Sequence, residues 1–229
     1  YLLQRLGWLL AGVGLFFFSI LFCRRLENRP GERVATGKKA GGILLLGLAC
    51  LLAVQGIYSR KYARRARYAE VYDRHVNHDR LYLLTQELYV TPAGRRLKGL
   101  SRMKLLNETG KVLPDFLLYL NPGLRVKSLT VGDDTVSFRR KDQVIVVGKS
   151  VLPGDTLRVE MVYEGGIDEN IFYLDVPEEE LKDSWVEGHP RDLCPRGKRY
   201  AYLDEHQVLL NPEGLWYPVT VPPVNPASP

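Results

Sequence analysis

Cysteine is scarce in this chain, with three residues in 229. Cys23 and Cys50 lie inside apolar runs, which leaves Cys194 alone in the remainder, so no disulfide can form within that part. No Cys-x-x-Cys spacing suggests a metal site. There is no His-Glu-x-x-His, so the standard helix-borne zinc site of peptidases is absent. A Gly-x-Ser-x-Gly elbow, a P-loop and a dinucleotide fingerprint are also missing. Catalytic, cofactor-binding and metal-ligating residues are therefore all assigned as none.

Charge is missing from two long stretches. Residues 6–23 read LGWLLAGVGLFFFSILFC, with Ser19 the only polar side chain, and residues 40–58 read AGGILLLGLACLLAVQGIY, with only Gln55 frankly polar. Each approaches the roughly 20 residues that a helix needs to cross the bilayer core. A backbone in hydrocarbon must satisfy its own hydrogen bonds, so helix is the expected form. Trp8 and Tyr58 sit near run ends, where interfacial aromatics belong. A buried hairpin of a soluble protein is disfavoured, because soluble helices carry a polar face. A secretory signal is disfavoured too: the only preceding charge is Arg5, and no small-x-small cleavage site precedes Arg24. Because the sequence opens on Tyr1, it is expected to be a piece of a longer chain with further spans upstream.

The overall charge of +6 conceals a split. Residues 1–80 carry 14 Lys and Arg against 5 Asp and Glu, whereas the remainder carries 18 against 21. Basicity thus belongs to the flanks of the apolar runs, where anionic lipid headgroups account for it. Nucleic acid is not expected as a partner, since the remaining part lacks a basic surplus. The segment between the runs, RRLENRPGERVATGKK, holds six Lys and Arg and is expected to be cytoplasmic. RKYARRARY, after the second run, is as basic and pulls the other way; the shorter linker is preferred as the cytoplasmic element.

Residues 59–80 place Tyr62, Ala66, Ala69, Tyr72 and Val76 at spacings of three and four, which predicts a helix leaving the membrane. It reads either as a lipid-surface helix with snorkelling arginines or as a solvated stalk. His75 and His78 are three apart, but no third ligand is near, and Asp73 and Asp79 read as helix-surface charges. From Leu81 the pattern is of strands. LYLLTQELYV, LKGLSRMKLLNET, DFLLYLNPG, LRVKSLTV, TVSFRRK, QVIVVGK and TLRVEMVYEG are about seven segments, separated by Gly, Pro, Asn and Asp turns. The first is expected to end at a Thr91-Pro92-Ala93-Gly94 turn. A further strand is expected at 171–175, and one or two at 200–210. The fold class is a membrane α-helical hairpin plus all-β, an antiparallel β-sandwich-like soluble domain. Its parts are 1–58 (two transmembrane helices with a basic linker), 59–80 (juxtamembrane helix), 81–220 (β domain) and 221–229 (Pro-rich connector).

Three weak chemical candidates remain. Asp204, Glu205 and His206 are consecutive, which on a strand points neighbours to opposite faces. Glu178–Glu180 reads as a solvated charge run. Tyr163-Glu164-Gly165-Gly166 reads as a strand end where glycines turn the chain.

FLLYLNPGLRVKSLTV, VSFRRKDQVIVV and LPGDTLRVEMVYEGGI, over residues 116–167, resemble part of the N-terminal β domain of the aminopeptidase N and leukotriene-hydrolase family of zinc metallopeptidases. LLNPEGLWYPV resembles the segment before that family's catalytic domain. In some bacterial members such a domain follows the helices of an ABC transporter permease. The resemblance therefore implies a membrane-tethered, non-catalytic β domain supporting a zinc peptidase domain downstream. Its partners would be the lipid bilayer, that peptidase domain, upstream membrane helices of the same polypeptide, and a peptide or protein. Zinc would belong only to the downstream domain, and the setting would be a bacterial inner membrane with the β domain extracytoplasmic. The family's His-Glu-x-x-His and Gly-x-Met-Glu-Asn motifs have no match here, so no functional residue is carried over. The alternative is a membrane-anchored β-sandwich binding module without peptidase activity.

Overall fold

The structure is a computed structural model that describes residues 2–22, 30–172, 174, 185–186, 189–190, 201–204 and 206–222. It divides into two compact units, residues 1–63 and 64–229.

The first unit contains helix α1 (Leu2–Phe22) and most of the 46-residue helix α2 (Pro30–His75). Both are long and apolar enough to cross a membrane by length and composition. Proline is suited to the first turn of α2, where a backbone N–H would have no helical partner. The helix therefore includes residues 30–39 of the basic linker. The two helices pack through a seam of small residues. A Cβ on Gly47 would lie 2.7 Å from the Ala11 backbone nitrogen, and one on Gly14 would lie 2.9 Å from that of Leu44. Gly7, Gly14, Ala40 and Gly47 are buried, while Trp8, Leu9, Phe16, Leu45 and Leu52 are each more than 60% exposed. The bulky apolar side chains face outward and the small ones inward.

The second unit is antiparallel throughout its described strands. Its large sheet contains β1 (Tyr82–Ala93), β2 (Arg96–Leu106), β4 (Leu124–Val131), β5 (Asp134–Thr135) and β8 (Thr156–Gly165), in the order β1-β2-β8-β4-β5. Its small sheet contains β3 (Phe116–Tyr119), β6 (Phe138–Lys141) and β7 (Val144–Val147), in the order β3-β7-β6. Two-residue strands β9 (Trp185–Val186) and β10 (His189–Pro190) pair with each other, as do β11 (Tyr202–Leu203) and β12 (Val208–Leu209).

The burial pattern explains the layers. Along β2 and β8, buried and more exposed positions alternate, as in a sheet with one face on a core. The inner residues Leu97, Met103, Leu105, Val159, Met161 and Tyr163 meet Phe116, Leu118, Ile145 and Val147 of the small sheet in one core. By contrast, all four residues of β3 are buried, because the β3–β7 pair is covered on both faces. Its second face, with Leu117, Tyr119 and Val144, packs under Tyr68, Val71 and Tyr72 of α2 and under Ile171, Phe172 and Leu215. Each such side chain withdrawn from water contributes about 1.5–3 kcal/mol.

Several expectations change. TVSFRRK is two strands, since β5 pairs with β4 and β6 with β7. The chain switches sheets at Val136 and Ser137, which single-strand patterning cannot show. β1 runs through Pro92 to Ala93, and the tight turn falls on Gly94 and Arg95. Pro92 is tolerated because β1 is an edge strand of its sheet. Instead of opening a strand, Ile171 closes a 3-10 turn (Glu169–Ile171) capped by Asp168, and residues 173 and 175 lie outside the described set. The helix stripe holds in its second half: Ala69, Tyr72 and Val76 pack on the core and are joined there by Tyr68 and Val71, whereas Tyr62 is 54% exposed.

Gly165 has φ +151°, and a Cβ there would come 2.2 Å from the Gly123 carbonyl oxygen. Gly94, at φ +58°, has open space around it. Gly165→Ala is therefore expected to destabilise the fold by about 3 kcal/mol or more, and Gly94→Ala by about 1 kcal/mol. Urea midpoints of the two variants measure the difference, and equal midpoints would contradict the close approach.

Candidate functional site

The polar groups of the second unit converge where α2 meets the small sheet. The chain crosses between sheets at residues 120–123, after β3 and before β4. Asn121 is fully buried there, and its side chain uses all its hydrogen-bonding capacity. Its Oδ1 accepts from the Gly123 N–H at 2.9 Å and the Asp168 N–H at 2.8 Å. Its Nδ2 donates to the carbonyls of Gly214 at 2.7 Å and Asp168 at 3.2 Å.

Arg140 on β6 holds the same corner from the other side. Its guanidinium donates to the carbonyls of Leu120 (3.1 Å), Asn121 (2.7 Å) and Asp142 (2.8 Å), and also to that of Leu124. Burial lowers its pKa, opposed by the nearby Asp142 charge. Four carbonyl dipoles replace the water that the cation has lost.

The helix end is read by two carboxylates. Asp168 Oδ2 accepts from the Tyr68 hydroxyl at 2.9 Å and from Arg64 at 3.3 Å, while its Oδ1 accepts from the backbone and side chain of Asn170. Asp142 occupies the left-handed region at φ 51°, which Asp tolerates better than most residues, and pairs with Arg67 at 2.7 Å. The hydrogen bond to Asp142 and its charge raise the Arg67 pKa. The adjacent Gln143, also buried, donates to the Tyr68 carbonyl at 2.7 Å. Arg65 donates to the Phe172 carbonyl. Burial pushes Tyr68 up to about 12, and the neighbouring Asp168 charge adds to the effect. Tyr119, whose hydroxyl donates to the His75 carbonyl, is also pushed up to about 12 by burial.

These groups form a clamp. The Asp168 oxygens are engaged by named donors, and the Asn121 and Arg140 partners are backbone groups. Such an arrangement holds chain segments together; it leaves neither Asp168 nor Asn121 poised against an open cleft.

The residues weighed in the sequence are not brought together. His75 Nδ1 bonds the Val71 carbonyl at 2.8 Å, while His78 Nδ1 bonds that of Asp79 and its Nε2 lies 4.0 Å from Asp115. Asp204 Oδ1 accepts from the His206 and Gln207 N–H groups, both at 2.8 Å, which lowers its pKa and makes it a turn former. Gly165 and Gly166 sit at the backbone approach described above. Glu178–Glu180, Cys194 and Glu205 lie outside the described residues. Among the described residues, no group of three His, Cys, Asp or Glu could hold a metal ion. The clamp went unread in the sequence, although Asn121-Pro122-Gly123 between two apolar strands marked its position.

No protein-family model matches this chain. No curated protein matches it either. Solved structures similar to part of the chain include an M1 zinc metallopeptidase and an aminopeptidase. The M1 zinc metallopeptidase from Deinococcus radiodurans is 21% identical over 41% of this chain and 22% of its own, with a TM-score of 0.37. Legionella pneumophila aminopeptidase A, in complex with aspartic acid, is 12% identical over 43% of this chain and 12% of its own, also at 0.37. The chain thus spans about a fifth or less of those proteins' length.

Two outcomes test the clamp. Asn121→Ala strands two N–H groups and two carbonyls, and is expected to cost about 3 kcal/mol by chemical denaturation; a loss within error of zero would contradict it. Tyr68 and Tyr119 have folded pKa values of about 12 against an ordinary 10.0. A phenol raised on folding adds stability that is full below pH 10 and disappears as pH rises towards 12. Unfolding midpoints should therefore fall across pH 10–12, with a shallower fall in Tyr68→Phe and Tyr119→Phe.

Proposed function

We propose that this chain is a membrane-tethered, non-catalytic β domain that supports a zinc peptidase domain of the same polypeptide. The observation that carries the tether is the inside-out packing of α1 on α2. Water would drive Trp8, Phe16 and Leu45 inward, yet they are exposed around a seam of glycine and alanine. Such small-residue seams suit helix pairs in hydrocarbon, where apolar side chains gain nothing by hiding from lipid. The tether is also part of the domain it holds, since the last turns of α2 supply Tyr68, Val71 and Tyr72 to the core of the β unit.

The supporting role is motivated by the work that the family-like segments do. Asn121 and Gly123 of the Leu-Asn-Pro-Gly turn fasten the sheet corner. Asn211, in the later Asn-Pro segment, caps the 3-10 turn Pro212–Gly214, whose Gly214 carbonyl accepts from Asn121. These are scaffold contacts. The peptidase, the permease-type helices upstream, the bacterial inner membrane and the extracytoplasmic placement rest on the sequence resemblance and charge pattern. Zinc belongs, on this reading, to the downstream domain alone.

In cells, the full chain should stay with the membrane pellet after alkaline carbonate extraction. Gly47→Leu, which puts a bulky group against the Ala11 backbone, should weaken helix pairing in a proximity crosslinking assay between α1 and α2. Release of the wild-type chain by carbonate would sink the tether. The peptidase part is decided by the reading frame after Pro229, where a His-Glu-x-x-His helix is expected within a few hundred residues.

A further inference from the structure

The charge count of the β unit hides a basic face. The outward positions of the large sheet carry Arg96, Lys98, Arg102, Lys104, Arg125, Lys127 and Arg158, against Glu87, Glu160 and Glu164. Seven cations against three carboxylates give this face a positive field, although residues 81–229 are net negative.

The carboxylates are already engaged. Glu160 accepts from Arg102 at 2.8 Å, Glu87 faces Arg102 across the β1–β2 ladder, and Glu164 pairs with Lys127 at 2.8 Å. Among the described residues, Lys104 and Arg158 have no such partner. They stand directly opposite each other on β2 and β8, and like charges in that register destabilise a sheet. Both line a depression of about 530 Å³, whose walls also include Glu87 and the Arg102–Glu160 pair. Thr85, the β1 residue in register with Lys104, adds a hydroxyl to the same row. Asp133, at the β4–β5 turn, lines the depression too, so three cations meet three carboxylates there and the positive surplus belongs to the wider face.

We propose that Lys104 and Arg158 form a binding site for a phosphate-type oxyanion. The anion lies between ammonium and guanidinium, relieves their repulsion and accepts charge-assisted hydrogen bonds from both, with the Thr85 hydroxyl as a third donor. The phosphate chemistry has two sources, a soluble phosphate-bearing molecule or an anionic phospholipid headgroup.

The test uses the full chain in phosphatidylcholine nanodiscs at low ionic strength, titrated with inorganic phosphate and followed through the backbone amides of Thr85, Lys104 and Arg158. Saturable shifts are expected, weakened about tenfold or more in K104A/R158A and restored in K104R/R158K. Lys98→Ala removes a cation from the same face outside the depression and should change the affinity by less than about twofold. An absence of saturable shifts, or a loss in K98A as large as in the double variant, would overturn the site, since the latter would reflect only the diffuse field of the face. Nanodiscs containing phosphatidylglycerol, without added phosphate, separate the sources. Shifts at the same amides identify the lipid headgroup, and their absence alongside a positive phosphate titration identifies a soluble anion.

Discussion

Two of the three strands in the small sheet of the β unit, β3 and β7, are apolar on both faces, and the rest of that unit follows from this. Phe116-Leu117-Leu118-Tyr119 and Val144-Ile145-Val146-Val147 cannot leave either face in water without exposing large side chains. Phe116, Leu118, Ile145 and Val147 require the large sheet, while Leu117, Tyr119 and Val144 require something else. That cover is the end of α2 together with the segments around Ile171, Phe172 and Leu215. A two-sheet sandwich would therefore be incomplete, and the helix is its third layer.

Layering of this kind creates a polar problem at the corners, where the chain must leave one sheet for another without pairing its backbone. Arg140 and Asn121 solve it with a cation and an amide that saturate stray carbonyls and N–H groups. Removing either partner would leave buried groups with no water to turn to, which is why such contacts contribute more through the cost of their loss than through their net gain. The carboxylates of Asp142 and Asp168 perform the same service for the arginines and Tyr68 of the helix. Exposed on the arginine side, these two pairs are individually weak in water. Their value lies in fixing which face of α2 meets the sheet, because Tyr68 offers its ring to the core and its hydroxyl to Asp168.

The parts of the fold legible in sequence were those governed by local periodicity. The two apolar runs, the strands with alternating burial and the Gly and Pro turns were each marked within a few residues. TVSFRRK reads as one strand because a strand that changes sheets keeps the same residue alternation; only its partners differ. The helix stripe is only partly legible for a related reason. Tyr62 and Ala66 satisfy a helical period as well as Ala69, Tyr72 and Val76 do, and periodicity cannot say which turns join a core. The corner clamp was invisible because its donors and acceptors are distant in sequence and mostly backbone. The basic face was masked by summing charge over a segment, when the cations alternate onto one side of β2 and the acids lie largely elsewhere.

Helix α2 obeys two packing rules within one element. Through residues 40–58 it is apolar all round and buries only its smallest side chains, which is the arrangement expected where the surroundings are as apolar as leucine. Through residues 64–75 it becomes amphipathic, with an aromatic and aliphatic stripe buried and arginines at its edges, which is the arrangement water imposes. The change falls in the stretch Ser59-Arg60-Lys61, where the first charges after the run appear. A soluble stalk would not need the first pattern, and a simple anchor would not need the second. Both patterns lie in one continuous helix, so the third layer of the β unit is covalently continuous with the apolar run.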